Sequence, residues 1–390
     1  MFKMGVTFND WLENKASNLK MVSNPEAVEE LKPDFCSNCG QAIKPEDLVL
    51  RGKRQVIDIV LSQPITTEYQ QYEAICSCGH TTITDFPVDV KANVQYGKNI
   101  EALVGYLSVD QYLPYQRMTH LLANVFGIHM SQGTVDNMLQ RLAIKATPFY
   151  ELIRNELENS KQAVGADETS CSVSGDKHWA WVWQNANYTY LTVSDNRGKK
   201  TVEEHFPLGF EQAILLSDRW ASHLNTNAKG HQICLAHLLR ELNYLEAAEK
   251  HSFSIELQNL FRKAIEEKKK HQVFTVDDKK SQELEQALDE LLKVSIDAVA
   301  CPKTVTLQNS LNKLRDCVFP FLYNKHLSAD NNASERAIRN FKVKHKISGM
   351  FKTGQHAYVK LKSLSETVKK KGQNTFDLFF NLANFKYQPI

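Results

Sequence analysis

Residues 163–195 read AVGADETSCSVSGDKHWAWVWQNANYTYLTVSD. Three segments rich in β-branched and aromatic residues, AVGADETSCSV, HWAWVWQNA and YTYLTVSD, are parted by Gly, Asp and Asn turn signals, which predicts three consecutive strands. A helix-like stretch near 199–206 follows, then AILLSD (213–218), an apolar run ending in a carboxylate, then HQICLAHLLREL (231–242), a strand passing into a helix. This mixture of strands and helices predicts an α/β layer fold.

A chain of 390 residues suits two or three domains. With 42% apolar and 24% charged residues it is neither disordered nor fibrous. No apolar run approaches the ~18 residues that span a bilayer. The opening MFKMGVTFNDWLENK lacks an apolar core followed by a small-residue cleavage site, so a cytoplasmic location is expected. Charge is uneven. From Arg336 to Lys371 eleven Lys or Arg stand against one acid, Glu366, a local +10 that leaves −8 for the remainder of a chain of net charge +2. This points to a polyanion near the C-terminal segment, with a solvated lysine surface as the alternative.

The organisation expected is multidomain α/β. A lead-in covers residues 1–30, a β-rich zinc-binding module 31–92 and a helix-turn-helix domain 96–148. A core follows in two parts, 155–240 and 323–390, with a charged helical insertion at 241–322 between them and basic helices at the end. In the third of these segments NIEALVGYLSV, LPYQRMTHLLANVFG and SQGTVDNMLQRLA predict three short helices, with Gly127 stopping the second and Ser131 capping the third. Gln132, Thr134 and Asn137 open that last helix, where polar residues read a major groove. Simple packing of a helical pair is the alternative.

Eight cysteines are too few for a disulfide scaffold, and four form tight pairs. Cys36-Ser-Asn-Cys39-Gly40 and Cys76-Ser-Cys78-Gly79-His80 suit a structural zinc ion, with His80 able to replace one sulfur because the second pair is C-x-C. Cys234-Leu-Ala-His237 has the spacing of half a zinc site, and either packs behind the strands or pairs with distant residues. Trp179, Trp181 and Trp183 alternate along one strand, and Trp220 follows Asp218; core packing is the default there, base stacking the alternative.

The acidic residues carry the chemistry. Asp167 in GADET, Asp218 ending LLSD, and Glu335 on the helix ADNNASERAIR are placed at strand ends and on a helix, where carboxylates can hold two divalent cations ~3.5–4 Å apart for phosphoryl transfer. Caps and surface acids are the alternative. Arg339, Lys342 and Lys346 follow Glu335 on one helix face, where with Lys344 they can meet DNA phosphates.

Read together, these runs resemble the insertion sequence 66 family of bacterial DDE transposases, from about Cys36 to about Phe376. The resemblance is carried by the Cys pairs, YLPYQRMTHLLANVFGIHMSQGT, GADET, LSDRWASH, ICLAHLLREL, NNASERAIRNFKVKHKISGMFKT and TVKKKGQNTF. It implies a ribonuclease H-like catalytic core, with Asp167, Asp218 and Glu335 as the triad for two magnesium or manganese ions. It also implies that the zinc module (Cys36, Cys39, Cys76, Cys78) and the helix-turn-helix bind terminal inverted repeats. A homo-oligomer on DNA and accessory proteins of the same element are expected partners, and no membrane. Two other readings use the same residues: a DNA-binding regulator with an inert α/β portion, and a nuclease that does not join strands.

Overall fold

A five-stranded mixed sheet, in the order β5-β4-β3-β6-β7, organises the chain in this computed structural model, which describes residues 21–56, 64–271 and 273–385. Its strands are β3 (Val164–Val173), β4 (Asp176–Gln184), β5 (Thr189–Ser194), β6 (Phe210–Ser217) and β7 (Ala228–Ile233). The first three are the strands that the sequence predicts, and they pair as an antiparallel meander. Ser174 and Gly175, both at positive φ, make the tight turn between β3 and β4, the backbone that a two-residue hairpin requires. Strands β6 and β7 add in parallel on the other side of β3.

Residues 1–62 and 63–390 form two compact units. In the first, Phe35 and Ala42 pair around a turn in which Cys36 N–H donates to the Gln41 carbonyl and Gly40 N–H to the Cys36 carbonyl. In the second, β1 (Glu73–Ile75) and β2 (Thr81–Ile83) pair around Cys76–His80. The expected lead-in lies largely outside the described residues, and 21–30 form no helix. Residues 57–63, within the segment expected to be β-rich, also lie outside them. No described residue from 21 to 97 is buried.

Helices α1 (Lys98–Val109), α2 (Tyr115–Phe126) and α3 (Gln132–Glu158) follow. Gly127 ends α2 in the left-handed conformation, and the Ser131 hydroxyl accepts from Thr134 N–H to cap α3, both as the sequence predicts. The third helix is not short. Apolar residues recur at helical spacing through Leu142, Ala146, Tyr150, Ile153 and Leu157, all buried, so α3 runs through the expected boundary at 148 and buries that stripe in the main core.

Helices α4 (Lys199–His205) and α5 (Ala221–Leu224) flank β6, and α6 (Leu235–Glu249) leaves β7. The segment expected as an insertion is helical: α7 (Ser252–His271), α8 (Lys279–Leu292), α9 (Pro302–Lys313) and α10 (Pro320–Tyr323). Together with Leu216, Ile233 and α6 it closes a second apolar core around Phe253, Phe261, Phe319 and Phe321. Then α11 (Asn332–Ser348), α12 (Gln355–Lys370) and α13 (Thr375–Asn384) return to the first core. No described helix is long and apolar enough to cross a membrane.

Candidate active site

Strands β3 and β6 are in register at Val164–Leu215 and Gly165–Leu216. Past that point the edge of β3 is taken over by α11 and the residue before it. Asn331 Nδ2 donates to the Ala166 carbonyl at 2.7 Å, Lys342 Nζ to the Ser170 carbonyl at 2.6 Å, and Ser172 N–H to His345 Nε2 at 2.9 Å. These edge groups of β3 are satisfied by side chains instead of a strand. The approach is close: a Cβ on Gly165 would lie 2.4 Å from Ser334 Oγ and 2.9 Å from Asn331 Oδ1. Glycine is therefore the residue that lets the start of α11 rest on the strand.

A second set of bonds joins β6, α6 and α11. Cys234 N–H donates to the Ser217 carbonyl, Leu235 N–H to the Ala329 carbonyl, and Asn331 N–H to Cys234 Sγ at 3.2 Å. Asp218 follows Ser217 at the end of β6, and its Oδ1 accepts from Trp220 N–H at 2.9 Å. Glu335 sits in the first turn of α11, where the helix dipole favours a carboxylate. Its Oε1 lies 3.0 Å from Arg240 Nη2 and 3.7 Å from His237 Nδ1.

Adjacent acids on β3 have opposite surroundings. Asp167 lies two residues from Gly165 and so faces α11, and its Oδ1 accepts from Glu168 N–H. Burial, and then the charges of Glu168 and Asp218, push its carboxyl up to about 7. Glu168 is compensated. Arg197 donates to its Oε1 from Nε and Nη2 at 3.0 and 2.8 Å, and the wholly buried His223 places Nε2 2.7 Å from its Oε2. Burial works to raise the Glu168 carboxyl, but His223 and Arg197 outweigh it and hold it below the ordinary range. Arg197 is itself stacked between Trp179 and Trp220, 4.6 and 3.9 Å from the ring centroids.

Among the described residues, two groups of metal-capable side chains have all donor atoms within 4.8 Å of one another: Glu168, Asp218 and His223, and Cys234, His237 and Glu335. Asp218 and Glu335 thus fall in different groups and Asp167 in neither, although Asp167 feels the charge of Asp218. The acids Asp167, Glu168 and Asp218 carry more negative charge than Arg197 and His223 offset, which is the electrostatic condition a divalent cation relieves. The donor chemistry fits such an ion.

Other expected residues are sorted by burial. Gln132 and Asn137 are exposed at the start of α3, whereas Thr134 is half-buried and hydrogen-bonded to Ser131. Each cysteine pair sits in a tight turn closed by a glycine at positive φ, Gly40 or Gly79. Hydrogen bonds from Cys39 and Asn38 lower the Cys36 thiol, and bonds from Cys78 and Ser77 lower that of Cys76, which favours the thiolate that binds metal. Arg339 and Lys346 are exposed, and Lys342 is spent on Ser170.

The placement of Lys344 on the DNA-facing surface is corrected. It is buried, donates to the Leu113 carbonyl at 2.9 Å, and is pushed down to about 8 by burial. Its position extends the buried stripe Ser334, Ala337, Ile338 and Phe341, a signal legible in helical spacing but masked by the charge. Lys362 is wholly buried, and Lys370 donates to Gln184, Asn185 and Tyr188. The basic segment therefore presents fewer free charges than its composition implies. Arg197, His223 and Asn331 reach the site over separations of 29, 55 and 165 residues, and no local pattern marks them.

Asp167 thus stands on β3, Asp218 follows the end of β6, and Glu335 opens the basic helix α11. Residues 93–358 match the family model described as Transposase IS66 family, and the chain belongs to that family. Membership makes DNA its partner and implies use of a divalent metal. The matched region starts after the second cysteine pair and contains all three acids. No curated protein matches the chain.

Proposed function

We propose that this transposase binds the terminal inverted repeats of an insertion sequence, hydrolyses phosphodiesters at their ends and joins the freed 3′-hydroxyls to target DNA. Its core is ribonuclease H-like, a reading supported by the strand order β5-β4-β3-β6-β7 with an antiparallel meander and two parallel additions. Asp167, Asp218 and Glu335 hold the cations. The observation that carries this is the Asp167 carboxyl, driven up to about 7 by burial beside Glu168 and Asp218. Both Glu168 oxygens are already engaged by Arg197 and His223, so Asp167 is the acid with free capacity.

Bound magnesium or manganese supplies activation of the attacking oxygen and stabilisation of the leaving one. The chain's own residues do the rest. Glu168 fixes Arg197 and His223 beneath the site, and Arg240 offsets Glu335. Arg336, Arg339 and Lys346, exposed on α11, contact the phosphates of the strand being cut. Gln132 and Asn137 read bases, while the knuckles of Cys36 and Cys39 and of Cys76 and Cys78, with His80 beside the latter, supply zinc ligands. The tight turn around each pair, closed by Gly40 or Gly79 at positive φ, supports that reading. Two ends must be processed, so the DNA-bound form holds at least two copies.

The test is nicking of a duplex carrying the element's own ends by the full chain in magnesium, followed by assay for joined donor and target strands. No nicking overturns the catalytic reading; nicking without joining reduces it to a nuclease. Replacing Arg336, Arg339 and Lys346 together by Ala should weaken end-binding. The slope of log affinity against log salt should become shallower by up to ~0.9 for each phosphate the variant no longer neutralises. An unchanged slope would return that face to solvent.

A further inference from the structure

Cys234 and His237, one turn apart at the start of α6, are brought against Glu335 of α11, with one donor atom from each within 4.8 Å of the other two. The cleavage and joining proposed for this chain use neither Cys234 nor His237. Three donors of this kind around one zinc ion stand roughly 3.3–3.6 Å apart, given metal–ligand distances of ~2.0–2.3 Å, and His237 Nδ1 lies 3.7 Å from Glu335 Oε1. His237 Nδ1 is buried and makes no hydrogen bond. Cys234 is the N-cap residue of the 15-residue helix α6 and its Sγ accepts from Asn331 N–H; burial holds the thiol above its ordinary range, a cost that a bound cation offsets by charge. The neighbouring cation, Arg240, stands on a side chain 59% exposed and can swing away.

We propose that Cys234, His237 and Glu335 form a three-ligand site for a thiophilic divalent cation of the zinc class, and that filling it withdraws Glu335 from the catalytic ions. Sulfur and imidazole select zinc over magnesium, which prefers oxygen. Binding converts the Cys234 thiol to a thiolate and releases one proton to solvent, and water takes the fourth position. Zinc then opposes magnesium at a residue the two sites share. The first half stands on the geometry of the three donors alone; the second rests on Glu335 being a catalytic ligand.

The test uses the full chain, stripped of metal and titrated with cobalt(II) as the probe. A chain with Cys36, Cys39, Cys76 and Cys78 changed to Ser should still bind one cobalt with a thiolate-to-cobalt absorption band. Cys234→Ser, which keeps an acceptor for Asn331 N–H, and His237→Ala should each weaken that binding by more than ~100-fold, beyond the effect of losing an outer-shell partner. Should the fourfold variant fail to fold, the otherwise unaltered chain must bind one more cobalt than its Cys234→Ser variant. Equal stoichiometry, or a band surviving both substitutions, overturns the site. Zinc added to the magnesium nicking assay should inhibit the parent chain at least ~10-fold more than His237→Ala; equal inhibition overturns the competition. Nicking retained by Glu335→Gln would instead sink the triad and leave the cobalt result standing.

Discussion

Asp167→Asn should leave the metal-free protein more stable at pH 8 and the enzyme inert. The folded-state carboxyl sits near 7, against an ordinary value of 3.8, because it is buried beside Glu168 and Asp218. Between those values the folded chain keeps a proton that the unfolded chain has lost. Stability therefore falls as pH rises from about 4 and has lost its full share above about 7, on the order of 2–4 kcal/mol. Asparagine carries no charge, keeps the oxygen that accepts from Glu168 N–H, and removes that loss. Denaturation in chelator should show the variant ahead at pH 8 with the gap closing towards pH 4. In magnesium the same change takes an anionic ligand from the reacting centre, and nicking should drop on the order of 10³-fold, about 4 kcal/mol of barrier. Opposite signs in the two assays are what a site trading stability for function gives. A variant less stable at pH 8, or one that still nicks, would remove Asp167 from the triad.

The largest effect on folding is expected at Lys362, far from any reacting group. Its ammonium is wholly buried on α12, 2.7 Å from Glu366, 3.9 Å from Asp110 and 3.0 Å from the Tyr112 hydroxyl. Asp110, just after α1, also meets Lys369, Ser365 at 3.0 Å and Thr375 at 3.1 Å, so one ionic cluster fastens α1, α12 and α13. Burial alone would raise the Asp110 carboxyl, but Lys369 and Lys362 more than compensate and lower it. Lys362→Met keeps the bulk and strips the charge, leaving two buried carboxylates with a single lysine; the cost should be ~3–5 kcal/mol. Urea unfolding measures it. Glu366→Leu added to Lys362→Met should recover most of the loss, because removing both partners avoids an uncompensated charge. A single variant with an unchanged midpoint would show that the cluster is solvated.

Much of the fold was readable because local chemistry specified it. β-Branched and aromatic content between Gly, Asp and Asn turns marked β3, β4 and β5, Gly127 and Ser131 marked the break between α2 and α3, and the charged amphipathic stretches marked the helices after α6. The full length of α3 is not legible locally, because its polar face past Lys145 masks a buried stripe that continues to Leu157. The acids at 167, 218 and 335 were found as residue types at strand ends and on a helix. Their grouping was not, since Asp218 shares a 4.8 Å cluster with Glu168 and His223, and Glu335 one with Cys234 and His237.

The sequence by itself determined which segments are strand-forming, where several helices begin and stop, and which side chains can bind metal, because propensity and spacing act over a few residues. Only the tertiary structure decided which of two adjacent acids keeps an uncompensated charge, and that Lys344 and Lys362 serve the interior rather than DNA. Burial and charge pairing between segments tens to hundreds of residues apart set those properties. They come into being when β3, α6, α11 and α12 meet.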